Sequence, residues 1–263
     1  MAVMNEKPKV SLHKFSSCDG CQLALLNMGP DLLRLATNVE LVHFAEAGPL
    51  APDAEVDLAF IEGSIATPED IERIRRIREQ SRMLVAIGAC ATAGGVQALR
   101  NGPQGAHWLA ELYPHPEHID SLPTSSPISA HVKVDFELFG CPVTSEQVMA
   151  VVNSAILGVA PQVTSEKVCV ECKRRGLACV MVSKGMPCMG PVTHGGCGAL
   201  CPSLGRDCYG CFGPAPLANT DALTKQFKAL GLSDEAIARR FASINSYAPA
   251  FLAAAGKALK RHD

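Results

Sequence analysis

The stretch Lys9-Val10-Ser11-Leu12-His13-Lys14-Phe15 reads as a short strand, and Ser16 and Ser17 lead it straight into Cys18-Asp19-Gly20-Cys21 and the helical pattern of Gln22 to Leu26. Outward from there the alternation repeats. Val39 to Ala45, Val56 to Gly63, Met83 to Cys90 and His131 to Phe139 are further short segments rich in Val, Ile, Leu and Phe, the composition of strands. Between them lie helical patterns: Asp31 to Ala36 after Pro30, Glu69 to Arg82 with Pro68 near its start, and Ser145 to Leu157. The middle one carries Ile71, Ile74 and Ile77 on one face, and its arginines read as a solvated outer face with Glu72 and Arg76 at i,i+4 spacing. This alternation predicts an α/β fold over residues 1–160, a doubly wound parallel sheet of five strands in flavodoxin-like order. Such a sheet places its functional crevice at the carboxyl ends of the strands. Cys18 and Cys21 follow the first strand, Cys90 closes the fourth and Cys141 comes just after the fifth, so all four fall there.

Composition excludes several classes. Of 263 residues, 48% are hydrophobic, enough for a packed core, and a formal charge of -2 with scattered Lys and Arg leaves no nucleic-acid surface. No run approaches the roughly 18 apolar residues of a membrane span, because Met83 to Ala93 is interrupted by Gly88 and Cys90. Met1 to Lys9 is polar, with neither a twin-arginine motif nor an apolar signal core, so a soluble, cytoplasmic protein is expected. In that reducing compartment twelve cysteines do not persist as disulfides; their number calls for metal or redox chemistry.

Residues 101–130 break the pattern with Pro103, Pro114, Pro116, Pro123 and Pro127 and with His107, His115 and His118. They read as an exposed connection, with a partner-binding loop as the alternative. After Pro161 the composition changes: residues 165–213 hold eight cysteines among many Gly and Pro, with little periodicity. Apolar burial alone hardly fixes such a segment, so residues 161–263 are expected to form a Cys-rich domain of irregular loops and short helices that folds around metal. Helices return in the tail, with Thr220 and Ser233 as N-caps of Asp221 to Leu230 and Asp234 to Ile244, Gly231 closing the first, and Ala248 to Arg261 as a third.

The eight later cysteines are Cys169-x2-Cys172-x6-Cys179-x8-Cys188-x8-Cys197-x3-Cys201-x6-Cys208-x2-Cys211. Thiolate suits both zinc and iron-sulfur clusters. A zinc ribbon, and with it a zinc-stabilised scaffold, would use Cys169/Cys172 with Cys208/Cys211 and leave four cysteines idle. Clusters use all of them, and Cys141-Pro142 and Cys201-Pro202 repeat the Cys-Pro of bacterial ferredoxins. The first four cysteines would hold a third site. Twelve thiols then complete three all-Cys sites, which leaves His194 as a loop or supporting residue rather than a ligand. The chain shows no catalytic set or nucleotide fingerprint of its own.

Ser17-Cys18-Asp19-Gly20-Cys21-Gln22, Phe60-Ile61-Glu62-Gly63-Ser64, Gly88-Ala89-Cys90-Ala91 and Gly140-Cys141-Pro142 resemble the small subunit of nickel-iron hydrogenases, and the match extends over nearly the whole chain. The resemblance implies that Cys18, Cys21, Cys90 and Cys141 bind a proximal 4Fe-4S cluster beside a nickel-iron centre on the large subunit. Membrane-bound members begin the distal site with His-x2-Cys and have Pro at one medial position; here those positions are Cys169 and Cys201. The all-Cys pattern is similar to the delta subunit of cytoplasmic, bidirectional NAD(P)-linked hydrogenases, or sulfhydrogenases. By that likeness Cys169, Cys172, Cys179 and Cys188 hold a distal 4Fe-4S cluster and Cys197, Cys201, Cys208 and Cys211 a medial one. The implied function is electron relay between the nickel-iron site and a module of iron-sulfur and flavin (FAD) subunits that binds NAD(P). Factor-420-linked and heterodisulfide-linked hydrogenases are the related alternatives. A complex I type subunit has adjacent cysteines that Cys18-Asp19-Gly20-Cys21 lacks.

Overall fold

In a computed structural model, which describes residues 7–102, 105–162 and 164–260, five strands form one parallel sheet in the order β2-β1-β3-β4-β5. They are β1 (Lys9–Lys14), β2 (Glu40–Phe44), β3 (Val56–Glu62), β4 (Ser81–Ile87) and β5 (Phe136–Leu138). The order is the flavodoxin-like one. Strand sequences that are apolar on both sides explain the burial. Leu12, Leu58, Phe60, Val85 and Ile87 project to one face, where Leu25, Leu35, Val148 and Val151 cover them. Ala59, Ile61, Leu84 and Ala86 project to the other, under Ile74 and Ile77.

The covering helices are α1 (Gly20–Leu26), α2 (Pro30–Asn38), α3 (Pro68–Gln80), α4 (Gly88–Ala93), α5 (Gly105–Leu112) and α6 (Ser145–Leu157). Helix α3 starts in a capping box: Thr67 Oγ1 accepts the Asp70 N–H and Asp70 Oδ2 accepts the Thr67 N–H, both at 3.1 Å. It ends at Gln80, earlier than its pattern suggests, because Ser81 already pairs with Val56 at the start of β4. Its arginines are not all solvated: the Arg73 guanidinium lies 4.0 Å from the Phe15 ring centroid and donates to the Lys14 carbonyl.

Two other boundaries differ from expectation. Strand β4 stops at Ile87, so Cys90 sits in the short helix α4 rather than at a strand end. The span expected as a strand from His131 pairs with β4 only over Phe136–Leu138, after a turn at Ile128–Ala130. The 101–130 connection contains α5 and carries its histidines on the surface, with His107 Nε2 3.0 Å from Glu111 Oε1; Pro103 lies outside the described residues.

Beyond α6 come α7 (Val168–Arg174), α8 (Val180–Lys184) and α9 (Leu200–Ser203), then α10 (Thr220–Ala229), α11 (Asp234–Phe241) and α12 (Pro249–Leu259). Asn219, not Thr220, caps α10 by accepting the Ala222 N–H at 2.9 Å, while Ser233 caps α11 as expected. Helix α11 ends before Ile244, where Asn245 turns inward and donates to the Gly210 carbonyl. Phe227, Phe241 and Phe251 are buried with Met189, Cys188 and Cys208 in a core that also takes in Ala93 of α4. Among the described residues no helix is long and apolar enough to cross a membrane. Arg261 lies outside them.

Candidate functional site

None of the twelve cysteines forms a disulfide, and each of the three expected sets can be located on the fold. The first lies at the carboxyl ends of β1, β4 and β5. Cys18 is exposed on the loop after β1, which Asp19 shapes by adopting φ 65 and accepting from Lys14 Nζ at 2.7 Å. Cys21 is buried in the first turn of α1, Cys90 follows Gly88-Ala89, and Cys141 follows Gly140, whose carbonyl accepts the Ala89 N–H at 2.7 Å. Cys21, Cys90 and Cys141 feel one another's charge, and Cys18 reaches both Cys90 and Cys141.

The backbone passes close to two of these thiols. A Cβ at Gly88 would lie 2.4 Å from Cys21 Sγ, and one at Gly95 would lie 2.6 Å from Cys90 Sγ, so only glycine lets the chain approach those sulfurs. Glu62, at the end of β3 and almost wholly buried, grips the cysteine loop: its oxygens accept the N–H groups of Cys21 at 3.0 Å and Gln22 at 3.1 Å. Burial pushes this carboxyl up in pKa, and the two N–H bonds pull against that shift.

A second set comprises Cys169 and Cys172 on α7, Cys179 just before α8, and Cys188. Cys169 interacts electrostatically with the other three, and Gly190 passes close to Cys188 and Cys169, its would-be Cβ 3.4 and 3.5 Å from their sulfurs. The third set is Cys197, Cys201 on α9, Cys208 and Cys211, with Cys211 within electrostatic reach of Cys197 and Cys201 and Cys208 within reach of Cys211. The second and third sets touch, and the third lies within electrostatic reach of the first. Cys211 also reaches Cys141, and the Cys208 N–H lies 3.3 Å from Cys188 Sγ.

Burial pushes Cys90 and Cys169 up to about 11 and Cys211 up to about 12, and it raises Cys21, Cys208 and Cys188 as well. Buried thiols of this kind stay protonated at neutral pH until a metal displaces the proton. Among the described residues no three His, Cys, Asp or Glu side chains converge on a single metal-ion position. A multi-iron cluster, with thiolates at its corners, suits the chemistry of these all-thiol sets. His194 stacks on Phe139 with centroids 4.6 Å apart and belongs to none of the sets. Glu62, Glu171 and Gln97 are the polar residues around the thiols that the cysteine spacing did not reveal; Gln97 Nε2 donates to the Ser16 carbonyl at 3.0 Å.

Residues 18–155 match the family described as NADH ubiquinone oxidoreductase, 20 Kd subunit. Sulfhydrogenase 2 subunit delta of Pyrococcus furiosus is 35% identical, over 88% of this chain and 97% of that protein. One subunit of the F420-non-reducing hydrogenase vhu of Methanocaldococcus jannaschii is 29% identical, over 78% of this chain and 81% of its own length. A chain of the solved NAD+-reducing NiFe hydrogenase in the H2-reduced state is 28% identical with a TM-score of 0.55, and the match covers 60% of this chain and 96% of that one.

Proposed function

The chain belongs to the family of the NADH ubiquinone oxidoreductase 20 Kd subunit and is, within it, a nickel-iron hydrogenase small subunit; from that premise we propose that it relays electrons through three 4Fe-4S clusters. Cys18, Cys21, Cys90 and Cys141 take the proximal cluster, next to the nickel-iron site of a large subunit, on a flavodoxin-like domain of residues 1–160. Residues 161–263 form the second domain, with Cys197, Cys201, Cys208 and Cys211 for the medial cluster and Cys169, Cys172, Cys179 and Cys188 for the distal one. The observation that carries the reading is the direct approach of the second and third thiol sets, the Cys208 N–H lying 3.3 Å from Cys188 Sγ. Bound clusters supply one-electron steps between hydrogen oxidation on the large subunit and reduction of a distant acceptor.

This chain's residues hold the thiols, exclude water from Cys21, Cys188 and Cys208, and donate backbone N–H groups toward sulfur, as Gly210 does to Cys208 at 3.4 Å. The likeness to a sulfhydrogenase delta subunit favours a cytoplasmic complex with a flavin and NAD(P)-binding module. The likeness to a component of an F420-non-reducing hydrogenase supports a second reading, in which the acceptor is not a nicotinamide.

Cys172→Ala in the assembled complex tests the relay. Hydrogen-deuterium exchange, which needs only the large-subunit site, should survive, while hydrogen-dependent NAD(P) reduction should fall at least tenfold. Unchanged NAD(P) reduction would remove the distal cluster from the path. Loss of NAD(P) reduction in the wild type, with another acceptor reduced instead, would select the second reading.

A further inference from the structure

Glu171 sits on α7 between Cys169 and Cys172, yet its bonds go to another segment. One carboxylate oxygen accepts the Gly196 N–H at 2.6 Å, and the other accepts the Ala199 N–H at 3.0 Å and lies 3.8 Å from Cys197 Sγ. One turn further along, the Arg175 guanidinium donates to the Gly198 carbonyl. Two side chains of α7 thus grip the loop of Cys197 from both sides.

That loop needs gripping. Gly196 has φ +124, Gly198 φ +62 and Ala199 φ 53. For an alanine the left-handed region costs about 1–2 kcal/mol, so the segment does not keep this shape unaided. The clamp ties a thiol of the third set to the helix that bears two thiols of the second, and it fixes the gap between them. It also puts negative charge beside sulfur. The carboxylate oxygen 3.8 Å from Cys197 Sγ repels negative charge that gathers on that sulfur. Adding an electron to a centre ligated at Cys197 meets the same repulsion, which favours its oxidised state.

We propose that Glu171 is a positioning residue of the relay: it locks the Cys197 loop onto α7 and lowers the reduction potential of the cluster held by Cys197, Cys201, Cys208 and Cys211. The proposal rests on the three-cluster reading.

The test uses the complex with its large subunit and three forms of the chain. Glu171→Gln keeps an oxygen acceptor at the same reach and removes the charge. Glu171→Ala removes both. Iron content, potentiometric titration followed by electron paramagnetic resonance, and amide exchange at Gly196 and Ala199 are read on each. The Gln variant should keep wild-type iron and shift the midpoint potential of the Cys197 cluster to more positive values, with a smaller shift at the cluster of Cys169 and Cys172 and none at the first. The Ala variant should lose protection at both amides by more than tenfold; if it fails to load clusters, the Gln variant still reports the charge. A fully loaded Gln variant with all three potentials unmoved overturns the tuning role, and unchanged exchange in the Ala variant overturns the clamp. A wild-type complex without three four-iron clusters overturns the relay reading itself.

Discussion

Gly88 adopts φ +84 beside a sulfur that would meet any added Cβ at 2.4 Å. Gly88→Ala combines left-handed backbone strain of about 1–2 kcal/mol with a clash against the Cys21 thiol. The variant should lose about four of about twelve iron atoms per chain in a colorimetric assay, a loss confined to the proximal cluster; full iron would contradict this placement of the first set. His13 makes a different prediction. It is buried, bonds Ser11 at 3.0 Å, meets the tilted ring of His43 with centroids 4.6 Å apart and lies near Arg73, and burial first, then His43, holds its pKa down at about 3. A depressed imidazole contributes stability that is complete above about pH 6.5 and is lost as pH falls towards 3, because the unfolded chain takes up the proton first. Between pH 7 and pH 5 urea denaturation should show about 2 kcal/mol less stability from His13 alone, a loss that His13→Gln abolishes. At this scale the thiols were legible because ligand type and spacing lie in the chain itself. Glu62 and Glu171 were not, although a Glu closing the apolar run Val56 to Ile61 was a signal in plain view. A carboxylate that caps backbone N–H groups far away in sequence declares its role only when the chain folds.

Helix α6 shows how an element serves the site. Thr144 Oγ1 accepts the Gln147 N–H at 3.3 Å, Gln147 Oε1 accepts the Thr144 N–H at 2.8 Å, and Gln147 Nε2 donates to the Phe139 carbonyl at 3.1 Å. The capping box therefore anchors both sides of Gly140-Cys141-Pro142. Thr144→Ala should cost about 1 kcal/mol in urea unfolding. At the far end of the chain, Phe241 lies between Phe227 and Phe251, with centroids 6.4 and 5.7 Å away. Phe241→Ala should cost about 3–5 kcal/mol and release iron from the two C-terminal sets while the first keeps its own. Separate iron and resonance measurements would show which sets empty, and loss from the first set alone would contradict the packing. Strong helices such as α6 were readable because cap, period and length agree. Cys90 was misplaced because the apolar pattern of β4 runs on through Ala89 and Ala91, and only the turn at Gly88 shows that the strand has ended. The short β5 was overextended for the same reason: Val132 and Val134 pack on the sheet core without pairing.

On the whole molecule, Cys18 and Cys141 are exposed, and Leu23, Val96 and Leu99 are open to solvent in segments neighbouring the first set. A large subunit that delivers electrons there must cover them, burying on the order of 1,000 Å² or more. Co-expression with that subunit should protect the amides of 18–28 and 91–99 from exchange, and the chain alone should be poorly soluble; a well-behaved isolated chain with full iron would argue otherwise. Much of Gln22–Met28 and Ala91–Val96 packs inward, with Gln22, Met28, Ala91 and Ala93 buried, so the exposed side chains of these segments are the ones left for a partner. The sheet order was written in the alternation of strands and helices, whereas the contact between the second and third thiol sets depends on loops with no period to read. The joint between sheet and tail has a practical result for anyone rebuilding this chain. Ala93 lies in the C-terminal core, its carbonyl accepts the Tyr247 N–H at 3.3 Å, and the Gly95 carbonyl accepts the Ser246 hydroxyl at 3.2 Å. The cysteine-rich tail is thus no detachable cassette: a shortened chain ending at residue 160 would uncover the very turn that seats Cys90, and a chimera would have to carry residues 245–247 along with the borrowed ligands.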